Sequence, residues 1–153
     1  MDRIDILWAR EQIKETKAKY FRFTDLRRTE DFLAQFTEDL VWTWLAEDNV
    51  TPLARFNSRQ EFADYLESIK EKRLNGFSVH HGHTVEIDVI DEDNATAIWS
   101  MQDYLRVPGD KNFIGYGHYH EEYRRVGERW LISRCTLTRL HVDQLEGENA
   151  LGT

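Results

Sequence analysis

From Val85 to Leu140 the chain reads almost entirely with period two, and the breaks in that pattern are very short. Val85, Ile87 and Val89 alternate with polar residues, as do Ala95, Ala97, Trp99 and Met101, and further strands fall near residues 113–125 and 129–140. The breaks are Asp91-Glu92-Asp93-Asn94, Pro108-Gly109-Asp110 and Val126-Gly127-Glu128. Connections of this length join only antiparallel neighbours, because a parallel return needs a crossover of a dozen or more residues. The second half of the chain is therefore committed to four hairpin-linked strands of one sheet.

The first half reads mainly with helical spacing. Ile6, Ala9, Ile13, Lys17, Tyr20 and Thr24 recur every three or four residues and predict an amphipathic helix over roughly residues 3 to 24. Thr29 is placed as the cap of a short second helix with Phe32, Leu33 and Phe36 as its buried stripe. Leu40, Trp42 and Trp44 alternate as a strand. Ser58 with Glu61 three residues on is a capping box, and Phe62, Tyr65, Leu66 and Ile69 follow it at helical spacing. The order helix, helix, strand, helix, four strands is α+β, with helices on one face of a curved antiparallel sheet.

A length of 153 residues without linker, repeat or low-complexity stretch predicts one domain over 1–153, with a core at about 3–141 and a tail at 142–153. With 41% hydrophobic residues the chain is not disordered. Twenty basic against 28 acidic residues leave a net charge of −8, which disfavours nucleic acid and anionic membranes as partners. No apolar run approaches the ~20 residues of a membrane span, and Met1-Asp2-Arg3-Ile4-Asp5 does not open a secretory signal. The lone Cys135 cannot close an internal disulfide, so a cytoplasmic location is expected.

Several polar residues fall where apolar ones belong. Asp103 shares strand parity with Ala95, Ala97, Trp99, Met101 and Leu105; it is either a strand-end carboxylate near solvent or a group held inward for a purpose. Asp25 follows directly on the first helix, as a helix-end aspartate or a functional one. On a regular strand His80 would point away from the Val85/Ile87/Val89 face, but a bulge at Gly82 would turn it inward. Arg139 has the parity of Leu131 and Leu137, and a buried arginine needs an anionic partner. His81-x-His83 and His118-x-His120 each have a spacing that can bind metal; in a cupin-like arrangement one spacing would put a glutamate where Arg124 stands. Those four histidines are read as sheet or pocket-rim residues, and no metal or cofactor is expected. A carboxylate orienting one histidine would make a general-base dyad.

The element order resembles the SnoaL-like branch of the nuclear transport factor two superfamily, from about Ile13 to Arg139. The pieces that carry the resemblance are Ile13-Lys14-Glu15, Lys19-Tyr20-Phe21-Arg22 and Asp25; Ser78-x-His80-x-Gly82-His83-Thr84; Asn94-Ala95-Thr96-Ala97 with Trp99 and Asp103; and Trp130 with Arg139. Within that branch the chain is similar to bile acid 7α-dehydratases, and its aspartate–histidine pair to those of scytalone dehydratase and hexachlorocyclohexane dehydrochlorinase. The resemblance implies a cone-shaped α+β barrel with a deep pocket. It also implies catalytic roles for Tyr20, Asp25, His80, Asp103 and Arg139. Val41-Trp42-Thr43-Trp44 and the segment 108–115 depart from the bile-acid enzymes, so the substrate does not carry over.

The expected function is a cofactor-independent dehydratase acting on a hydrophobic cyclic molecule, steroid- or polyketide-like, with Trp42, Trp44, Trp99 and His120 facing the substrate. An isomerase of the ketosteroid type, a polyketide cyclase, and a non-catalytic ligand-binding protein are the alternatives. A homo-oligomer, trimer or dimer, is expected to cover the apolar surface that an open sheet leaves.

Overall fold

The computed structural model describes residues 1–107, 109 and 112–145. Helix α1 (Arg3–Asp25) opens on a reciprocal capping box: the Asp2 carboxylate accepts from the Ile4 and Asp5 backbone N–H groups, and Asp5 accepts from that of Asp2. Its buried face is Ala9, Ile13, Thr16, Lys17, Tyr20 and Phe23. Phe23 thus takes the place expected of Thr24, and Ile6, expected inside, is 36% exposed in the first turns, where α1 reaches past the core.

Helix α2 (Thr29–Leu33) begins at Thr29 with Arg28 as its uncapped predecessor, so Thr29 is not the cap, and Phe36 opens strand β1 (Phe36–Leu45) instead of extending the helix. Strand β2 (Pro52–Phe56) and helix α4 (Lys70–Leu74) were not legible. Only Phe56 is buried in β2 and nothing is buried in α4, so neither element has an apolar stripe to detect. Between them lies α3 (Arg59–Ser68), capped by Ser58 as expected. Glu61, however, reaches back to the backbone N–H of Asn57 and not to that of Ser58.

Strands β3 (Phe77–Val89), β4 (Asn94–Arg106), β5 (Asn112–Val126) and β6 (Arg129–Gln144) form the expected antiparallel run. The six strands lie in the order β2-β1-β6-β5-β4-β3, a curved sheet that does not close. One pair departs from an all-antiparallel sheet: β1 runs parallel to β6, with Trp42 beside Cys135 and Trp44 beside Leu137. The chain reaches that arrangement after two helices and four further strands, which is crossover enough for parallel pairing. Strand β6 runs on through residues 142–144 of the expected tail, and residues 146–153 lie outside the described residues. So do Pro108 and Asp110 of the expected turn. Among the described residues no helix is long and apolar enough to cross a membrane.

The register places the site. Gly82 pairs with Met101 and Val85 with Trp99, so β3 carries one residue more than β4 over that stretch. This bulge switches parity: Ser78 and His80 face inward before it, and Ile87 after it. A β-carbon at Gly82 would stand 2.5 Å from the Phe21 ring, so only glycine lets α1 pack against the bulge. His80 is thereby set directly across from Asp103, and Asp103 across from Gly115 on β5.

Candidate active site

Asp25 ends α1, and the turn after it is fixed by Arg27, which adopts a left-handed φ of 61°. Its guanidinium donates to the carbonyl oxygens of Arg73 (3.0 Å) and Thr24 (2.9 Å) and to Ser78 Oγ (2.6 Å). Ser78 in turn donates to Asp25 Oδ1 at 2.9 Å. The same carboxylate accepts the His80 backbone N–H on Oδ2 at 2.9 Å and meets His80 Nδ1 with Oδ1 at 2.6 Å. An ionised carboxylate only accepts, so Nδ1 carries the proton and Nε2 keeps its lone pair. The imidazole is held in one tautomer.

On the far side of the imidazole, Nε2 lies 4.0 Å from Asp103 Oδ1. Asp103 is 3% exposed and follows the inward parity of Ala95, Ala97, Trp99 and Met101. It accepts from the Tyr119 hydroxyl at 3.1 Å, and its Oδ2 stands 3.5 Å from Arg139 Nη1. Gly115 makes that approach possible, since a β-carbon there would be 2.3 Å from Nη1. Tyr20, 4% exposed, meets the Tyr119 hydroxyl, and burial pushes both phenols well above the ordinary tyrosine range, so both are neutral donors at neutral pH.

Beneath the tyrosines lies a pair the sequence reading did not single out. Lys17 Nζ and Glu121 Oε1 are 2.5 Å apart with both side chains fully buried, and the Tyr123 hydroxyl donates to Glu121 Oε2. The ammonium sits 3.6 Å from the Tyr119 ring centroid and 3.9 Å from that of Tyr20, so it supports the two phenols from below. The signal was present: Glu121 shares the inward parity of Tyr119 and Tyr123, and Lys17 stands in the apolar stripe of α1.

His80 and Tyr20 open on a cavity of about 170 Å³ walled by Trp42, Trp44, Phe56 and Phe62. Of the expected substrate-facing residues, Trp42 and Trp44 line it. Trp99 is buried behind Gly82 in the core, and His120 is exposed on the opposite face of β5, bonded to Thr138 Oγ1. Partial burial and its neighbour His118 lower the His120 pKa. The parity that turns Tyr119 and Glu121 inward turns His120 out. Asp103 and Arg139 do not line this cavity; Arg139 borders a second one, beyond Trp44. The His81 and His83 rings stack 6.2 Å apart, and among the described residues no three histidine, cysteine or acidic side chains gather as a metal site.

An open, curved six-stranded sheet with the helices of the N-terminal half laid on it is the nuclear transport factor two-like fold. Within it the chain belongs to the SnoaL-like domain family, whose model matches residues 5–136. A probable cyclase of Gibberella zeae is 23% identical over 134 residues, covering 84% of this chain and 89% of that protein. A candidate scytalone dehydratase of Novosphingobium aromaticivorans superposes with a TM-score of 0.80 at 20% identity, covering 97% of both chains. A hexachlorocyclohexane dehydrochlorinase of Novosphingobium barchaimii does so with a TM-score of 0.79 at 15% identity, covering 99% of this chain and 100% of that one.

Proposed function

We propose that the protein is a cofactor-independent lyase that removes water from a hydrophobic cyclic substrate of steroid or polyketide type. The observation that carries this reading is the Asp25-held imidazole of His80 in the wall of an apolar cavity. Nε2 takes a proton from the carbon next to a conjugated carbonyl, and the electrons of that C–H bond pass to the carbonyl oxygen as an enolate. The Tyr20 hydroxyl hydrogen-bonds that oxygen, a contribution of about 3 kcal/mol for a preformed donor. As the carbonyl re-forms, a carbon–carbon double bond appears and the C–O bond on the neighbouring carbon breaks. The departing oxygen takes that proton back from the imidazolium and leaves as water.

The test is the ultraviolet absorbance of hydroxylated cyclic enones incubated with the wild type and with His80→Ala. New conjugated absorbance with the wild type, abolished in a folded His80→Ala, is the expected result; a fully active variant refutes the mechanism.

A second reading keeps the pocket and the base but not the elimination, as in a ketosteroid-type isomerase or a polyketide cyclase. The position of Asp103 behind the cavity wall favours it, because such reactions need no leaving-group acid. Unchanged turnover in Asp103→Asn would select it.

A further inference from the structure

We propose that the cavity bordered by Arg139 is an anion subsite, which seats the carboxylate of a substrate whose ring system occupies the dyad's cavity. The cavity measures about 520 Å³ and lies between the ends of β1 and β6 and the start of β5. Arg139 is the cation on its wall, 4% exposed. A guanidinium has five N–H donors. Here only Nη1 has contacts, 3.5 Å from Asp103 Oδ2 and 3.7 Å from Met101 Sδ, both long; the other donors have no hydrogen-bond partner among the described residues. Asp103 balances the charge through one long contact, and the remaining donors can serve a second acceptor in the cavity.

The side chain is held for that purpose. The Asn49 amide accepts from the Arg139 backbone N–H at 2.7 Å and donates to the Arg139 carbonyl at 2.8 Å, which fixes the backbone at the cavity wall. The Trp44 and Phe113 rings lie 5.7 and 5.6 Å from the guanidinium carbon, and Gly115 clears its path to Asp103. A planar fork presented this way matches a carboxylate, which it can grip with two parallel hydrogen bonds. Glu47 on the same cavity is exposed and water-screened.

Other cations border the dyad's cavity, and each already has a partner there or elsewhere. Arg27 serves Ser78 and the carbonyls of Thr24 and Arg73, Arg73 turns to the Thr24 carbonyl, and Lys72 is engaged elsewhere. Trp44, Ala54 and Tyr65 line both cavities, so the two are neighbours across one shared apolar wall. Asp103 spans the same distance inside the wall, one oxygen toward His80 and the other toward Arg139. The identity of the ligand as substrate rests on the lyase reading; the subsite itself does not.

The experiment is isothermal titration calorimetry of the full chain with 1-naphthylacetate and its neutral isostere 1-naphthylacetamide. The same titrations are run on the paired variant Arg139→Gln with Asp103→Asn, which removes both charges and leaves neither stranded. The wild type is expected to bind the carboxylate at least about tenfold tighter than the amide, and the paired variant to bind both alike. Equal affinities in the wild type, no binding of either at millimolar concentration, or a preference that survives in the paired variant would overturn the subsite. A carboxylate preference in a protein without elimination activity leaves the subsite standing and removes the lyase reading; equal affinities with activity that depends on His80 do the reverse.

Discussion

Replacing Asp25 by asparagine tests the dyad more sharply than removing it, because the amide fits the space and fails on one point of chemistry. Asp25 accepts three hydrogen bonds: Oδ1 takes His80 Nδ1–H and the Ser78 hydroxyl, and Oδ2 takes the His80 backbone N–H. An amide offers one acceptor oxygen and one donor nitrogen, so one position must meet a donor with a donor. If the nitrogen faced the backbone N–H, the clash could not be relieved, and a stranded buried donor costs about 1–3 kcal/mol. If it faces the imidazole, His80 can move its own proton to Nε2 and accept on Nδ1. The second arrangement wins. It leaves the protein folded and the base protonated on the nitrogen that must be bare, and it removes the charge that stabilises the imidazolium. We expect Asp25→Asn to lower kcat about 10³-fold, roughly 4 kcal/mol of transition-state stabilisation, with the melting temperature little changed. Steady-state absorbance kinetics measures the first. Nitrogen-15 spectra of labelled histidine read the tautomer directly. An Asp25→Asn protein that keeps the proton on Nδ1, or retains activity within a few-fold, would refute the reasoning.

Two further outcomes follow from the buried charges and hydroxyls. Lys17→Met strands Glu121 in the core and should cost about 3–5 kcal/mol in urea unfolding, while adding Glu121→Leu should recover much of it; a single variant as stable as the wild type would show the pair to be solvated. Burial raises the Cys135 thiol and the Tyr20, Tyr119 and Tyr123 phenols, so the native state holds protons that the unfolded chain releases on the alkaline side. Stability is therefore full below about pH 8.5 and falls above it, first through Cys135 and beyond about pH 10 through the tyrosines, by up to about 1.4 kcal/mol per pH unit for each group. Unfolding free energies measured from pH 7 to 11 that stay flat would contradict this.

The sheet and the inward Asp103 were legible because strand parity is a strict rule: Ala95, Ala97, Trp99 and Met101 fix the face, and Asp103 inherits it. His80 needed one conditional step, the bulge at Gly82, and the register supplies it. What the sequence could not display was pairing between distant elements. Nothing near Lys17 announces Glu121, and nothing near Asp103 announces that Tyr119 and Arg139 will hold it away from the cavity. Arg27 was missed because its role comes from a left-handed turn that local sequence does not demand. His120 was misplaced because its spacing drew attention before its parity did.

Strand β3 is the last in the sheet order, so its outward N–H and C=O groups have no neighbouring strand to bond. At His80 the Asp25 carboxylate fills that vacancy by accepting the backbone N–H. The carboxylate that orients the imidazole therefore also blunts a sticky edge, occupying the slot through which another extended chain could dock. Edge and imidazole are tied to one side chain: a lineage that lost Asp25 would free the His80 ring and, in the same step, uncover a template for self-association.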